Sequence, residues 1–448
     1  MKDLINFVAN RAIAYQQSLD DRKVAPPSET VARLSEFNVP LQSAPIDAAE
    51  VIAQLDEIGS PATVATTGGR YFGFVIGGSL PAAQAANWFV DLWDQNATLE
   101  RMSPVSVMLE EIALDWLLDI FGLPSDCGGA FVTGCCMANL TGLAAARHRI
   151  LARAGWDVEA DGLFGAPPIT VVVSAEAHPT LHKSLGLLGL GRKRVITVPT
   201  DSQGRMRVDA IPPLSQNTIV CIQAGNVNTG SYDPADKICE IAHKAGAWVH
   251  VDGAFGLWAV AAPERAYLMS GFNQADSLAT DGHKWLNVPY DCGLAFVRDR
   301  DALRASMSIT AAYIQQIYRR EPADYTPEAS RRARGVVVWA ALRSLGREGL
   351  ADLVERTCRH AKRFAEGLSA AGFQILNDVV LNQVLVSFGD AEKTRRVITA
   401  IQVDGTCWCG ETVWQGHTAM RISVSSWATT ENDVERSLAA MIRIAREN

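Results

Sequence analysis

Residues 248–254 read Trp-Val-His-Val-Asp-Gly-Ala, and residues 281–286 read Asp-Gly-His-Lys-Trp-Leu. The first stretch is an apolar run that ends abruptly on a carboxylate, Asp252. The second sets a lysine, Lys284, between an apolar run and an apolar turn. A carboxylate closing an apolar strand is costly to desolvate unless it is paired, so Asp252 is either a helix cap or the partner of a cation. Lysine is scarce here, with nine in the chain. Burial lowers a lysine pKa and frees its amine for nucleophilic chemistry, whereas an isolated lysine is ordinarily a solvated surface charge.

Working outward, short β-branched or apolar runs recur at 130–133, 170–173, 195–198, 218–222, 248–251, 277–279 and 294–297. Nearly continuous apolar runs of this length predict strands buried on both faces. Helical patterns over 137–151 and 234–245 lie between some of them, so the fold class is α/β with a mostly parallel central sheet and helices on both faces. A further helix is predicted from Ser103, a good cap, with Pro104 in its first turn and Gly122 and Pro124 stopping it. The first 60 residues read as helices broken by Pro26, Pro27, Pro40, Pro45 and Pro61. The polar, basic stretch 304–334 reads as a long connector or loop. After Gly335 come a long helix, strands near 384–388 and 419–424, and a closing amphipathic helix from about 431, a smaller α+β domain.

In open α/β sheets ligands sit beyond the carboxyl ends of strands. Five segments there hold unusual residues. Thr133-Gly134-Cys135-Cys136-Met137 turns a strand directly into a helix and offers free N–H groups and the positive end of a helix dipole, which suits a phosphate; a plain tight turn is the alternative. His178 follows the run at 170–173, where a flat imidazole suits stacking on a planar ligand or simply sits in a loop. Gly225-Asn226-Val227-Asn228-Thr229-Gly230 follows the run at 218–222 and is either a turn or a source of amide hydrogen bonds. Asp252 and Lys284 complete the set. A Schiff-base lysine together with an acidic partner for a pyridinium nitrogen is the pattern of pyridoxal 5'-phosphate chemistry.

The chain is similar to fold type I pyridoxal-phosphate enzymes. It resembles, more narrowly, the group II amino-acid decarboxylases, which include aromatic-amino-acid, glutamate, histidine and diaminobutyrate decarboxylases. The likeness is carried by His250-Val-Asp252-Gly-Ala254, Asp281-Gly-His283-Lys284-Trp285-Leu286, Tyr290-Asp291-Cys292-Gly293, Ala177-His178 and Met137-Ala-Asn139-Leu, and runs from about Arg70 to Thr430. It implies that Lys284 forms the imine with the cofactor, Asp252 pairs with the pyridine nitrogen, His178 stacks on the ring and Ala254 packs under it. It sets Asn228 at a cofactor contact, and Cys135 and Cys136, with Asp281 and His283, at the phosphate side. Arg421 matches an arginine that meets the substrate carboxylate, an apt bidentate clamp. Phe72, Phe74 and Ile76 fall where the family lines its substrate pocket. Tyr325 matches a loop tyrosine that returns a proton to Cα, with Tyr313 and Tyr318 as rivals. The chain departs from the family at Cys135 and Cys136, where Ser or Gly is frequent, and at Asp281, where some members carry Asn. A carboxylate facing a phosphate is repelled, so Asp281 is expected to turn toward a donor.

The domains implied are an N-terminal helical segment (1–65) making dimer contacts, a large cofactor-binding domain (66–330) and a small C-terminal domain (331–448). The activity implied is decarboxylation of an L-amino acid to carbon dioxide and an amine. Oxidative deamination to an aldehyde, aldol cleavage and transamination are alternatives on one scaffold, and a non-catalytic paralogue is the alternative from another class. A homodimer with shared sites is implied as well. Trp88 and Trp93, with Phe72 and Phe74, suggest either an apolar substrate side chain or packing.

Composition narrows the rest. Lys plus Arg number 41 against 49 Asp plus Glu, a net charge of −8. That excludes the basic footprint of a nucleic-acid binder and the polybasic patch of a membrane-surface protein. No apolar run approaches the roughly 18 residues of a spanning helix, and the first residues carry charges where a signal peptide is apolar. Nine scattered cysteines without a CxxC pair fit a reducing cytoplasm, and only His178 and His182 among the histidines have helical ligand spacing, so no metal site is expected.

Overall fold

The computed structural model describes residues 1–308 and 320–448. They divide into two compact units, Ser79–Arg359 with Asn377–Gln383, and Met1–Gly78 with His360–Leu376 and Val384–Asn448.

The larger unit is built on seven strands: β1 (Gly128–Val132), β2 (Thr170–Ser174), β3 (Ile196–Val198), β4 (Thr218–Gln223), β5 (Trp248–Asp252), β6 (Ser277–Asp281) and β7 (Gly293–Val297). Every run expected to be a strand is one. Their order is β1-β7-β6-β5-β4-β2-β3. From β6 to β3 the neighbours are parallel, while β7 runs antiparallel to both β1 and β6. One edge of the sheet therefore collects the carboxyl ends of β1, β2, β4, β5 and β6 with the start of β7. All the central strands are buried along their length, as their unbroken apolar sequence requires.

The helix Cys135–Arg153 lies across β6 and β7. Ala138, Ala145 and Ala146 keep the side that faces the sheet thin, and Leu143 and Ile150 fill the space beyond, each buried to 1% or less. Burying each of those two side chains stabilises the unit by about 1.5–3 kcal/mol. Pro104–Ile120 is helical as expected, with Ser103 at its N-cap, but the Ser103 hydroxyl bonds the Ser106 hydroxyl at 2.7 Å and not a backbone N–H.

The basic stretch before residue 334 is not all surface connector. Arg331 is buried, donating to the carbonyls of Ala97 and Phe131 and pairing with Glu110. Arg320 pairs with the same carboxylate at 3.0 Å. A guanidinium tolerates burial when each of its donors meets an acceptor. The long helix Arg334–Ala370 breaks at Gly346, whose φ of 60° favours glycine.

The smaller unit holds nearly all of a second sheet, β8 (Gln374–Ile375), β9 (Gln383–Ser387), β10 (Gly410–Trp414) and β11 (His417–Ser423), in the order β10-β11-β9-β8. The helix Glu431–Glu447 starts with a capping box between Thr430 and Asp433. The first 78 residues group with this unit and do not stand apart as a segment of 65. Buried Arg70 explains the grouping: its guanidinium donates to the carbonyls of Asp20, Arg22 and Thr406.

Candidate active site

The five segments singled out in the sequence meet at the shared strand edge of the larger unit. β4 and β5 end side by side, Gln223 opposite Asp252, and the Ala254 carbonyl beyond β5 accepts the N–H of Asp281 at the end of β6. Gln223 also donates to the Glu176 carbonyl at 2.9 Å, tying the loop that carries His178 to the end of β4.

Cys135 is the residue around which the charges gather. Its S–H donates to Asp252 Oδ1 at 3.4 Å, and its N–H donates to Asp281 Oδ1 at 2.6 Å. Asp281 Oδ2 lies 3.0 Å from Lys284 Nζ. Burial and the neighbouring carboxylates push the Cys135 thiol well above its usual range, so it stays a donor. Asp252 also accepts from the N–H of Ala254 at 3.3 Å and from Asn139 Nδ2 at 3.2 Å.

The loop bearing Lys284 is pinned. The N–H groups of Gly282 and His283 donate to the Cys292 carbonyl, and the Cys292 N–H returns to His283 Nδ1 at 3.2 Å. Trp258 donates to the Asp281 carbonyl and Trp285 to Thr357, both indoles fully buried. Burial pulls the His283 pKa down, and Nδ1 accepts, so the neutral ring carries its proton on Nε2. His178 caps the helix Pro179–Leu187: its Nδ1 accepts the Thr180 N–H at 3.3 Å, which leaves Nε2 as the protonated nitrogen of the neutral ring. Asn228 sits half-buried in a turn held by Asn226, whose side chain accepts its N–H at 2.8 Å.

Three expectations are corrected. Lys284 is not a lysine of lowered pKa: burial pulls its ammonium down, but the Asp281 carboxylate, with Asp252 beyond it, outweighs burial and the pKa is raised. The Cys135 N–H is committed to Asp281, so of the two cysteines only Cys136 is left to offer a backbone donor to an anion. Tyr325 does not reach the strand edge. Its ring is buried, its hydroxyl accepts from Arg300 Nε at 3.0 Å, and Arg320 lies 4.8 Å over the ring. Arg300 stands at the start of β1, against Gly128, and Arg320 donates to the Gly129 carbonyl, which is the opposite end of the sheet. Tyr313 and Tyr318 lie outside the described residues.

The residues that the resemblance assigned to the substrate fall in the smaller unit. Phe74 is exposed and stacked on Trp408 at 5.8 Å, with Arg421 Nη2 3.5 Å from its carbonyl. Burial pulls the Arg421 pKa down to about 10. Phe72 is core, fully buried against Phe364, and Ile76 packs on the cluster of Leu19, Val24, Ala65 and Tyr71.

Sequence reasoning missed the buried polar side chains behind Asp252. Trp248 and His250 share a face with Asp252 by the alternation of a strand, a signal that was present in 248–252. Among the described residues no group of three or more His, Cys, Asp or Glu is placed to hold a metal ion, and no helix is long and apolar enough to cross a membrane.

Known proteins resemble this chain in sequence and in fold. L-2,4-diaminobutyrate decarboxylase of Rhizobium meliloti is 29% identical over 385 residues, covering 81% of this chain and 74% of that one. Tryptophan decarboxylase 1 of Oryza sativa subsp. japonica is 26% identical, covering 88% and 83%. Acidic amino acid decarboxylase of Bos taurus is 27% identical over 70% of this chain, which spans 62% of that relative's length. The solved structure of Oryza sativa TDC superposes with a TM-score of 0.92 at 21% identity, covering 100% of this chain and 97% of that one, a likeness of fold. The family model of the pyridoxal-dependent decarboxylase conserved domain matches residues 38–389, a span that holds Lys284, both carboxylates and His178. With its strand edge, its lysine and its paired carboxylates in place, the chain belongs to the pyridoxal-dependent decarboxylase family.

Proposed function

We propose that the chain is a pyridoxal 5'-phosphate-dependent decarboxylase of an L-amino acid, a carboxy-lyase releasing carbon dioxide and an amine. The observation that carries this is the cluster at Cys135, which holds Asp252 by its S–H and Asp281 by its N–H, with Lys284 on the far oxygen of Asp281. The donor set fits the cofactor. There is an amine for its aldehyde, a buried carboxylate for its ring nitrogen, and a helix start without a side-chain cap for its phosphate.

In this reading Lys284 Nζ is the point of covalent attachment, and Asp252 holds the ring nitrogen in its protonated form. Cys136 and the start of its helix, with His283, take the phosphate side. His178 covers one face of the ring, Ala254 lies under the other, and Asn228 is a further contact. When bound, the cofactor supplies the electron sink that accepts the pair left as the carboxylate departs. Asp281 keeps the Lys284 ammonium stationary beside the site, so the amine reacts only after a proton leaves Nζ. Arg421 takes the substrate carboxylate, and Phe74 and Ile76 line the side-chain end; fixing the carboxylate supplies the orientation that selects which bond at Cα breaks.

We infer a homodimer as well, a reading supported by exposed apolar surface on each unit: Trp88, Phe89, Leu92 and Trp93 on the helix Pro81–Trp93, and Ile5, Val8 and Ile13 on the helix Lys2–Ser18, which buries none of its residues. Nine cysteines, all free, support a reducing cytoplasm.

Incubation of the cofactor-loaded protein with a panel of L-amino acids, with carbon dioxide and amine measured, tests the reading. Amine from at least one substrate is the expected result, and none from any would refute it. Phenylacetaldehyde synthase of Arabidopsis thaliana, 25% identical over 75% of this chain, makes aldehyde synthesis the second reading. Ammonia and peroxide in place of amine would establish that one.

A further inference from the structure

Behind Asp252 runs a line of buried polar side chains that the chemistry above does not use. Trp248 Nε1 and His250 Nδ1 each lie 2.8 Å from Ser277 Oγ. His250 Nε2 lies 2.8 Å from Asn139 Oδ1, and Asn139 Nδ2 lies 3.2 Å from Asp252 Oδ2. Each of these side chains is buried. The placement follows from the elements. Trp248, His250 and Asp252 alternate along β5, Ser277 of β6 stands opposite His250, and Asn139 comes from the helix packed on that face. Gly142, one turn further along that helix, makes room: a Cβ there would sit 3.0 Å from His250 Cε1.

The two ends of the line fix its direction. An indole N–H can only donate, so Ser277 Oγ accepts from Trp248. An ionised carboxylate can only accept, so Asn139 turns its NH2 group to Asp252 and its carbonyl oxygen to His250. His250 must then carry its proton on Nε2 and accept the Ser277 hydroxyl proton at Nδ1. The reverse polarity would set the Asn139 oxygen against the Asp252 oxygen. Burial, working against the attraction of Asp252, pulls the His250 pKa down to about 4, which keeps the ring neutral and able to accept at Nδ1.

We infer that Asn139, His250 and Ser277 are positioning residues, a one-way hydrogen-bond line from Trp248 that holds Asp252 at the angle needed to keep a ligand's ring nitrogen protonated. The inference rests on the assignment of Asp252 to that nitrogen. Oδ2 is steadied by Asn139 and Oδ1 by Cys135 and Ala254, so the carboxylate cannot swing as an isolated aspartate would. Such lines are worth more than their separate bonds when every member is satisfied.

The test binds pyridoxal phosphate labelled with nitrogen-15 in its ring to the full chain and reads the ring-nitrogen chemical shift at pH 7.5, beside steady-state kinetics. Wild-type protein is expected to give the protonated shift. Asn139→Leu, with the same branching and number of side-chain heavy atoms and unable to donate, is expected to move it toward the unprotonated value and to lower kcat about tenfold, with KM within about twofold. Ser277→Ala, a small change that leaves the packing intact, moves the shift in the same direction by less. Asp252→Ala separates the two claims. If it leaves the ring nitrogen protonated, the assignment of Asp252 fails, and the inference with it. If it strips the proton while Asn139→Leu and Ser277→Ala keep the wild-type shift, the line is structural only and the inference is overturned.

Discussion

The ion pair between Lys284 and Asp281 sets how readily the amine becomes a nucleophile, and Asp281→Asn measures it. Asn keeps an oxygen for the Cys135 N–H, so the loop retains its hydrogen bond while the charge is lost. At the observed 3.0 Å, two unit charges attract by about 5.5 kcal/mol at an effective dielectric of about 20, and by about 1.4 kcal/mol in bulk water. With about 1.36 kcal/mol per pKa unit, those bounds correspond to a fall of about 1 to 4 units in the Lys284 pKa. Burial acts in the same direction as the substitution, so the sign is fixed; Asp252 remains as the opposing charge. The raised pKa of the native lysine means its free-amine fraction grows only as pH climbs toward and past the ordinary 10.5. The assay mixes cofactor-free protein with pyridoxal, which carries no phosphate to interact with residue 281, and follows covalent capture by absorbance between pH 7 and 10. Asp281→Asn is expected to capture pyridoxal at least about tenfold faster at pH 7.5, its rate profile displaced to lower pH. A profile that coincides with the native one, or moves to higher pH, would refute the reasoning.

Three further outcomes follow from buried groups. His250 has a folded pKa of about 4 against an ordinary 6.5, so the unfolded chain binds the extra proton first; about 3 kcal/mol of stability is lost as pH falls from 6.5 to 4. His250→Gln should flatten that acid limb in urea titrations, and an unchanged limb would count against a neutral buried ring. Glu110→Gln leaves Arg331 and Arg320 facing a neutral amide and is expected to cost about 3–5 kcal/mol in denaturant unfolding; a loss below about 1 kcal/mol would mean that water reaches the site. Tyr325→Phe removes only the acceptor for Arg300, so unfolding should show a loss of about 1 kcal/mol with kcat unchanged, whereas a collapse of kcat would restore Tyr325 to the chemistry.

The sheet was legible because buried parallel strands leave unbroken apolar runs, and 218–222 or 294–297 admit no other reading once helices flank them. That β7 runs antiparallel was not legible, since a fully buried strand carries the same pattern in either direction. The residues at strand ends announced themselves by chemistry: a carboxylate closing 248–252, a lysine after 277–281. Their mutual arrangement did not, because it depends on contacts between distant stretches. Asp281 takes the Cys135 N–H across 146 positions of sequence, which removes a donor from the phosphate side, and its charge beside Lys284 raises the lysine pKa that burial alone would have lowered. Tyr325 misled for the same reason. Its neighbours in sequence resemble a loop, but Arg300 and Arg320 draw its ring into the far end of the sheet. Arg70 likewise gathers the N-terminal segment to the C-terminal residues through carbonyls that no local pattern marks.

Borohydride reduction of the cofactor-loaded protein, followed by peptide mapping, probes the covalent attachment itself. The expected product is a single pyridoxyl adduct on the peptide that contains Lys284, lost in Lys284→Ala together with the visible absorbance band. An adduct on any other lysine, or a band that survives in Lys284→Ala, would contradict the role given to this residue.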